Sequence, residues 1–528
     1  MAAGFLGRIG AMQSTESDRG TGRADESRLP PVAALAAAQA AVAAASLVVE
    51  IVAGRMLAPY LGMSLYTWTS VIAVVLAGFS AGHWAGGRIA EARPDRALAW
   101  TAWSMAGAAL TAAGATFILR WSAGPVIGGF GHPIAAIVAL TTLAFFPPSF
   151  FAGIPAPVLA HVAVLAQPGR GGRALGAMFA AGAVGAIAGT LLAGFLFISW
   201  LGSTGTLATV TAVYVLLAIG LLGAARRAGG SPVAPAVVAA IVPLGVAGLA
   251  LTRPDPCTRE SDYFCIRVID VAQDFGGPAR LMVLDHLGHG IAVRDEPQRA
   301  GTPHAAMLDM LARARAPQGG FSAFFIGGGS YSIPRAWAET GVAARVTVAE
   351  IDPAVTDTAA RDFWFDPATA DIRHMDARLA LAADPSRYDV IVGDAFTDIA
   401  VPAHLVTREF FRLVASRLEP DGVYLMNVID HVDGLQALAA IVRTLRGVFP
   451  VVEIWAEPNP AGAADRLVFI VLAGRTPTPS NAYTGPAPDF VRAARLSPGS
   501  AEALAARLDP PVLTDDFAPI DRLMTRFD

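Results

Sequence analysis

From Val32 to Leu251 the chain repeats one pattern: a charge-poor apolar run, a short polar break, then another run. Most of these runs approach the roughly 20 residues a helix needs to cross the hydrocarbon core of a bilayer. Candidate spans are Val32–Leu57, Tyr66–Gly86, Ala97–Leu119, Ile134–Leu165, Ala174–Trp200, Thr206–Leu222 and Val233–Leu251, about seven in all. The fourth carries Pro147, Pro148, Pro155 and Pro157, so it reads as a kinked span or one with a re-entrant piece, tolerated only where protein covers the freed backbone. Gly176, Gly182, Gly185 and Gly189 stand at helical spacing and predict close helix packing rather than a pore. The expectation is a multi-pass α-helical membrane domain over residues 32–252, with the lipid bilayer as a partner.

The rest of the chain has a different character. Overall, 54% of the 528 residues are hydrophobic, only 16% are charged, and mean hydropathy is +0.50. The apolar excess lies in the first half, and the second half has the polarity of an ordinary globular domain, so one membrane domain is joined to one soluble domain. Residues 1–31, rich in Ser, Arg, Glu and Gly, read as a disordered tail that lacks the charged start, apolar middle and cleavage site of a signal peptide. A net charge of -4 without a basic cluster argues against nucleic acid as a partner. No lysine is present, which removes lysine Schiff-base and lysine-base chemistry. The two cysteines, Cys257 and Cys265, are too few for a zinc cluster or a disulfide framework, and no metal is expected.

Arginine placement predicts orientation. Arg8, Arg19, Arg23 and Arg28 precede the first span, Arg88, Arg93 and Arg96 follow the second, Arg170 and Arg173 follow the fourth, and Arg226 and Arg227 follow the sixth. The alternate loops hold little beyond Arg120, so the N-terminus is expected in the cytoplasm. An odd number of spans puts the soluble domain outside, where a Cys257–Cys265 disulfide could form. A re-entrant or additional span would put it in the cytoplasm. Glu50 and Arg55, both in the first span, each need a partner, snorkelling room or a polar cavity.

After Pro254 and Pro256 the pattern changes. ESDYFCIRVIDV and ARLMVLDHLGHGIAV alternate, are rich in β-branched residues and flank Gly276–Gly277, which predicts antiparallel hairpin strands in a small β subdomain over 257–320. From Ser322 strands alternate with helices. Strands are predicted at Ser322–Ile326, Arg345–Glu350, Ile372–His374, Tyr388–Val392, Gly422–Val428, Val451–Trp455 and Leu467–Leu472. Helices are predicted at Pro334–Thr340, Ala354–Asp362 and Thr407–Leu418. This is the rhythm of a doubly wound, mostly parallel α/β sheet over 321–528.

One motif in that domain carries chemistry. FFIGGGSYSIPR takes a buried strand through Gly327, Gly328 and Gly329 into a helix start, where α/β sheets let a nucleoside approach the backbone. The next strand ends on Glu350, at the spacing of a ribose-binding acid. Asp376 and Asp394 close the two strands after it, with Asp398 near Asp394. Ligands in such sheets sit outside the strands' carboxyl ends, so these groups should converge on one crevice. Asp376 is placed to accept from an adenine amine. Paired carboxylates such as Asp394 and Asp398 can hold a cationic amine, one serving as its base. Each acid alone could be a helix cap. His289 could reach the crevice but reads as an ordinary strand histidine, and LTDDFAPIDRLM, with Asp515, Asp516 and Asp521, could fold over it as a lid but reads as a surface turn.

The stretch from Tyr263 to Asn427 resembles the polyamine aminopropyltransferases, the spermidine synthase family, through LMVLDHLGHGIAVRDE, the IGGG turn, VAEID, HMDARLAL and YDVIVGDAFTD. The first half, with EIVAGRMLAPYLGMSLYTW and GAMFAAGAVGAIAGTLLAGF, is similar to the membrane domain of bacterial fused spermidine synthase-like proteins, itself similar to part of a major-facilitator transporter. The resemblance implies a Rossmann-like domain of the S-adenosylmethionine-dependent transferase type, in a bacterial inner-membrane protein. It implies transfer of an aminopropyl group from decarboxylated S-adenosylmethionine, as co-substrate, to putrescine or a related amine, with no bound cofactor. Asp394 would be the base or amine anchor and Glu350 the ribose ligand. Asp376 with Ala377 would hold adenine.

The sequence departs from the family on the amine side. Ser330 and Tyr331 stand where the family has Asp-Gly, and Tyr263-Phe264 where it has tyrosine-glutamine. The gate loop reads Asp394-Ala395-Phe396-Thr397-Asp398 without its proline, and a tyrosine–histidine pair survives only as His304. Alternatives are methyl transfer from intact S-adenosylmethionine, which the missing acid at Ser330 suits, and a non-catalytic polyamine-binding or transport-linked membrane protein. A homo-oligomer and the side of the membrane stay open.

Overall fold

The computed structural model describes residues 29–130, 132–229, 236–396, 400–458, 466–485, 490–497 and 499–524. Nearly all of the expected N-terminal tail and the gate-loop acid Asp398 lie outside the described residues.

Helices fill the first half: α1 (Val32–Leu61), α2 (Leu65–Ala90), α3 (Pro94–Gly129), α4 (Pro133–Gly153), α5 (Pro155–Leu165), α6 (Gly171–Leu192), α7 (Ile198–Arg227) and α8 (Ala236–Thr252). Among the described residues, five helical stretches are long and apolar enough to cross a membrane: Val32–Leu61, Leu65–Ala90, Pro94–Gly129, Pro133–Leu165 and Gly171–Arg227. The last, of 57 residues, reverses direction at Gly202, which has φ 66 and ψ 176. Its two arms therefore run in opposite directions through the bundle. The proline-rich fourth span is α4 stacked on α5, broken at Ile154.

Neighbouring helices fix the directions. In α6, a Cβ at Gly185 would lie 2.1 Å from the Ala40 carbonyl oxygen, and one at Gly189 2.2 Å from that of Ala44, so α6 runs parallel to α1 at backbone contact. Gly182 also meets α1, at Gln39, whereas Gly176, expected to pack closely, has open space beside it. A second small-residue seam joins α2 to α4 and α5 through Gly78, Gly82 and Gly86. The start of α1 lies beside the end of α7, where Leu35 and Leu221 line one groove, while Arg55 lies near Ser203 at the other end. Helix α8 then finishes at that second end, with Thr204 beside Asp255. The chain therefore enters the bundle at one end and leaves it at the opposite end.

The soluble half begins with a four-stranded antiparallel sheet: β1 (Arg259–Glu260), β2 (Cys265–Asp270), β3 (Ala279–Leu284) and β4 (Leu287–Val293). Its first strands are tied by a Cys257–Cys265 disulfide. A short helix, α9 (Ala272–Phe275), joins β2 to β3. The stretch expected as one strand over 279–293 is a hairpin, turning at Asp285 with φ 54.

After α10 (Pro303–Arg315) come β5 (Phe321–Ile326), α11 (Ser332–Thr340), β6 (Ala343–Ala349), α12 (Pro353–Asp362), β7 (Asp371–Arg373), α13 (Ala377–Ala383), β8 (Tyr388–Gly393), α14 (Arg408–Arg417), β9 (Leu418–His431), α15 (Gln436–Arg446), β10 (Val451–Ala456) and β11 (Arg466–Gly474). Short strands β12 (Ala482–Thr484) and β13 (Arg492–Arg495) complete the sheet, and helices α16 (Ser500–Leu508) and α17 (Ile520–Met524) end the chain. The sheet order is β12-β13-β10-β11-β9-β8-β5-β6-β7. Strands β9, β8, β5, β6 and β7 are parallel, and the other four are added antiparallel, so the sheet is more mixed than expected.

Both faces are covered, which is why the central strands read as unbroken apolar runs. Leu308, Trp337 and Val355 from α10, α11 and α12 bury one face; Leu381, Phe410 and Ile441 from α13, α14 and α15 bury the other. The order reverses between β5 and β8, where a doubly wound sheet opens its crevice.

Candidate active site

The crevice at that point is a cavity of about 390 Å³, within the ~300–1,000 Å³ range of small-molecule sites. Of the residues expected to form the site, Tyr263, Gly327, Gly329, Glu350, Asp376, Ala377 and Asp394 line it. Gly328 bonds to one of them. His304, at the start of α10, does not line it; its ring reaches the Thr302 hydroxyl at 3.4 Å.

The glycine turn is built by close approach. Gly327 has φ 92, and a Cβ there would fall 2.8 Å from the Asp394 carbonyl oxygen. Gly329 has φ 51, and its Cβ would fall 2.8 Å from the His289 carbonyl oxygen. Both conformations are ones that only glycine adopts without strain. The turn is thus pressed between the end of β8 and the hairpin of the small sheet.

Glu350 is buried at the end of β6 and accepts from the Gly328 N–H at 2.8 Å and the Asp352 N–H at 2.9 Å. Removal from water raises its pKa to about 7, more than those two donors lower it. Asp352 caps α12, accepting from Ala354 N–H at 2.9 Å. Asp376 caps α13 through Leu379 N–H at 3.0 Å, and its other oxygen meets His404 Nε2 at 2.7 Å. The helix-cap reading and the cavity reading hold together for this residue. Asp394 is half-buried and accepts from Asn427 Nδ2 at 2.9 Å; Asn427 lies one strand over, on β9.

Ser330 and Tyr331 turn away from the cavity. Ser330 is buried against Gly290, and Tyr331, at φ 55, stacks on Phe365 with ring centroids 4.3 Å apart. Its hydroxyl lies 2.7 Å from that of Thr356. A left-handed tyrosine is strained by about 1–3 kcal/mol, which this stacked, buried ring offsets.

Sequence reasoning missed several lining residues. His289 lines the cavity, and its Nδ1–H donates to the Leu287 carbonyl at 2.9 Å, which leaves Nε2 as an acceptor. Removal from water holds its pKa below the usual imidazole range. Asp285 and His404 also line the cavity, as does Met63 from the connection between α1 and α2. Period-2 alternation could have placed His289, but nothing local announces Met63. The C-terminal LTDDFAPIDRLM turn is tied to the cavity's edge: Asp515 takes both guanidinium nitrogens of Arg378 at 2.8 and 2.6 Å, and that partner holds its pKa down to about 2. Among the described residues no cluster of His, Cys, Asp and Glu is arranged to hold a metal.

No family model matches the chain. It is 33% identical over 129 residues to the "Probable polyamine aminopropyl transferase" of Bifidobacterium longum, covering 24% of this chain and 29% of that protein. It is 30% identical over 219 residues to the "N-terminal histidine N-methyltransferase" of Emericella nidulans, covering 38% of each. The chain thus spans about a third of the length of these relatives. Other proteins named polyamine aminopropyltransferase match over comparable stretches. Among solved structures, a "probable spermidine synthase" from Corynebacterium glutamicum aligns over 49% of this chain and 97% of its own, with 21% identity and a TM-score of 0.42. Over about a quarter of its length the chain is thus similar to proteins named polyamine aminopropyltransferase.

Proposed function

We propose that this chain is a membrane-spanning transferase that moves the aminopropyl group of decarboxylated S-adenosylmethionine onto putrescine or a related amine. The observation that carries the reading is the convergence of the glycine turn, Glu350, Asp376 and Asp394 on one cavity at the sheet's switch point. Glu350 receives the ribose hydroxyls, and Asp376 with Ala377 borders the adenine. The acceptor amine attacks the propyl carbon bonded to sulfur. The carbon–sulfur bond breaks with its electron pair going to sulfur, and methylthioadenosine leaves as a neutral thioether. The amine's proton passes to Asp394, which Asn427 orients. Because the sulfonium is already a good leaving group, positioning and deprotonation supply most of the catalysis.

Two observations favour a second reading, methyl transfer. Ser330 stands where the resemblance implies a carboxylate for the donor's amine, and one relative is named a methyltransferase. Purified full-length protein given decarboxylated or intact S-adenosylmethionine with putrescine separates the two. Methylthioadenosine is expected from the first donor; S-adenosylhomocysteine from the second would replace the proposal with methyl transfer. Turnover of neither donor, with tight polyamine binding, would leave the non-catalytic reading.

The soluble domain belongs outside the cytoplasm in this proposal. Arg88, Arg93, Arg96, Arg170, Arg173, Arg226 and Arg227 gather at the end of the bundle remote from it, which the positive-inside rule assigns to the cytoplasm. The Cys257–Cys265 disulfide suits an oxidising compartment.

A further inference from the structure

The segment that joins the two halves of the chain makes a dense set of contacts with the helical bundle. Arg55 of α1, only 9% exposed at its side chain, donates to the Tyr263 carbonyl at 2.6 Å and the Ser261 carbonyl at 2.7 Å, and pairs with Glu260 at 3.8 Å. Glu260 accepts from the Ser203 N–H at 2.8 Å and from the Ser203 hydroxyl, beside the reversal at Gly202. Ser199 donates to Asp262 at 2.5 Å. The Cys257–Cys265 disulfide closes this same segment into a loop, and a short turn inside it is locked by Ser261 N–H to the Phe264 carbonyl at 2.9 Å.

The other face of that turn is the candidate active site. Tyr263 and Phe264 line the cavity together with Met63 from the α1–α2 connection. The Ser261 hydroxyl donates to Asp352 at 2.5 Å, Asp352 N–H donates to Glu350, and Glu350 accepts from Gly328. One guanidinium in a bundle helix is therefore linked, through a turn and two carboxylates, to the glycine turn itself. A planar fork that bridges two carbonyls fixes both position and orientation, which an ammonium cannot do.

We infer that the helical domain completes the active site, with Arg55 as the positioning residue that holds the Tyr263–Phe264 wall against the bound nucleoside. Arg55 touches neither substrate nor reacting atoms. It acts through the turn it grips, and Met63 supplies the adjoining wall directly. The cost of burying an arginine at a helix end is offset by its two carbonyl partners and its carboxylate.

This inference rests on the nucleoside reading of the cavity, so binding is measured first on the unaltered protein in detergent, with methylthioadenosine and S-adenosylhomocysteine as probes. A full-length protein that binds neither overturns both the reading and the inference. With binding established, Arg55→Gln should raise the Kd about tenfold, and Arg55→Lys should recover only part of the loss. In a Tyr263→Ala/Phe264→Ala background Arg55→Gln should change the Kd less than twofold, because the wall it positions is gone. Losses that simply multiply would mean that Arg55 acts elsewhere and would overturn the assignment, as would unchanged binding in Arg55→Gln. Met63→Ala leaves the Arg55 contacts intact and tests the same claim if the arginine variants fail to fold. It should weaken binding about threefold, and wild-type affinity would overturn the helical domain's part in the site.

Discussion

Glu350 is the residue whose chemistry is most sensitive to its surroundings. With a pKa of about 7, it is protonated over much of the mildly acidic range, and only the carboxylate can accept from both ribose hydroxyls. The sign follows directly: nucleoside affinity should be constant above pH 7 and fall about tenfold for each unit below it. Calorimetric titration of methylthioadenosine between pH 5.5 and 8.5 would read this, and Glu350→Gln should bind weakly with no such slope. Asp394 has a different task. Asp394→Asn should lower kcat by about 10²–10⁴-fold with nucleoside binding kept, the range expected for loss of a general base. Asn427→Leu, which removes the hydrogen bond holding the Asp394 carboxylate, should cost about tenfold in kcat, since a bond to a charged group contributes roughly 1.5–3 kcal/mol. An Asp394→Asn protein as active as the parent would remove Asp394 from the mechanism.

At the scale of elements, the molecule depends on two backbone reversals beside the joint between its halves. Gly202 has φ 66 and ψ 176, a region almost closed to other residues, and its missing side chain leaves room for Glu260 Oε2, which an added Cβ would approach to 3.1 Å. Gly202→Ala should cost about 1–3 kcal/mol from backbone strain alone, visible as a lower Tm of the purified protein. The disulfide-closed segment is the second reversal. Its cysteines are separated by 8 positions, and closing so short a loop stabilises by about 2.5 kcal/mol in the chain-entropy view. Cys257→Ser should therefore lower the Tm and, because the same segment carries Tyr263 and Phe264, weaken nucleoside binding. Thermal melts with and without methylthioadenosine would separate these effects.

For the whole molecule, the prediction concerns sidedness. The bundle carries the chain from one end to the other an odd number of times, so a reporter fused after the C-terminus should be active only outside the cytoplasm and an N-terminal one only inside. A C-terminal reporter active in the cytoplasm would reverse the orientation and leave the Cys257–Cys265 bond in a reducing compartment. An outside location would also mean that the adenosyl donor has to reach the site from beyond the cytoplasm.

Much of this was written in local sequence. Apolar runs of span length, the strand–helix rhythm after Ser322 and the FFIGGGSYSIPR turn fixed the two halves, the strand positions and the acids at the strand ends, because each depends on period or on glycine, both local properties. Even Gly185 and Gly189 announced helix contact by their spacing. Other features had no local signal. Four antiparallel strands at one edge of the sheet, Met63 in the cavity and the Asn427–Asp394 bond each join residues that are near only after the chain has folded. Arg55 could be marked in sequence only as a costly charge in an apolar run. Its partners, the Ser261 and Tyr263 carbonyls more than 200 positions away, are backbone atoms that no side-chain pattern encodes. The sequence by itself determined which segments form long apolar helices and which form the α/β sheet with acids at its strand ends. Only the tertiary structure decided that the connection between two of those helices would line the cavity of the sheet domain, since that depends on how the two halves dock.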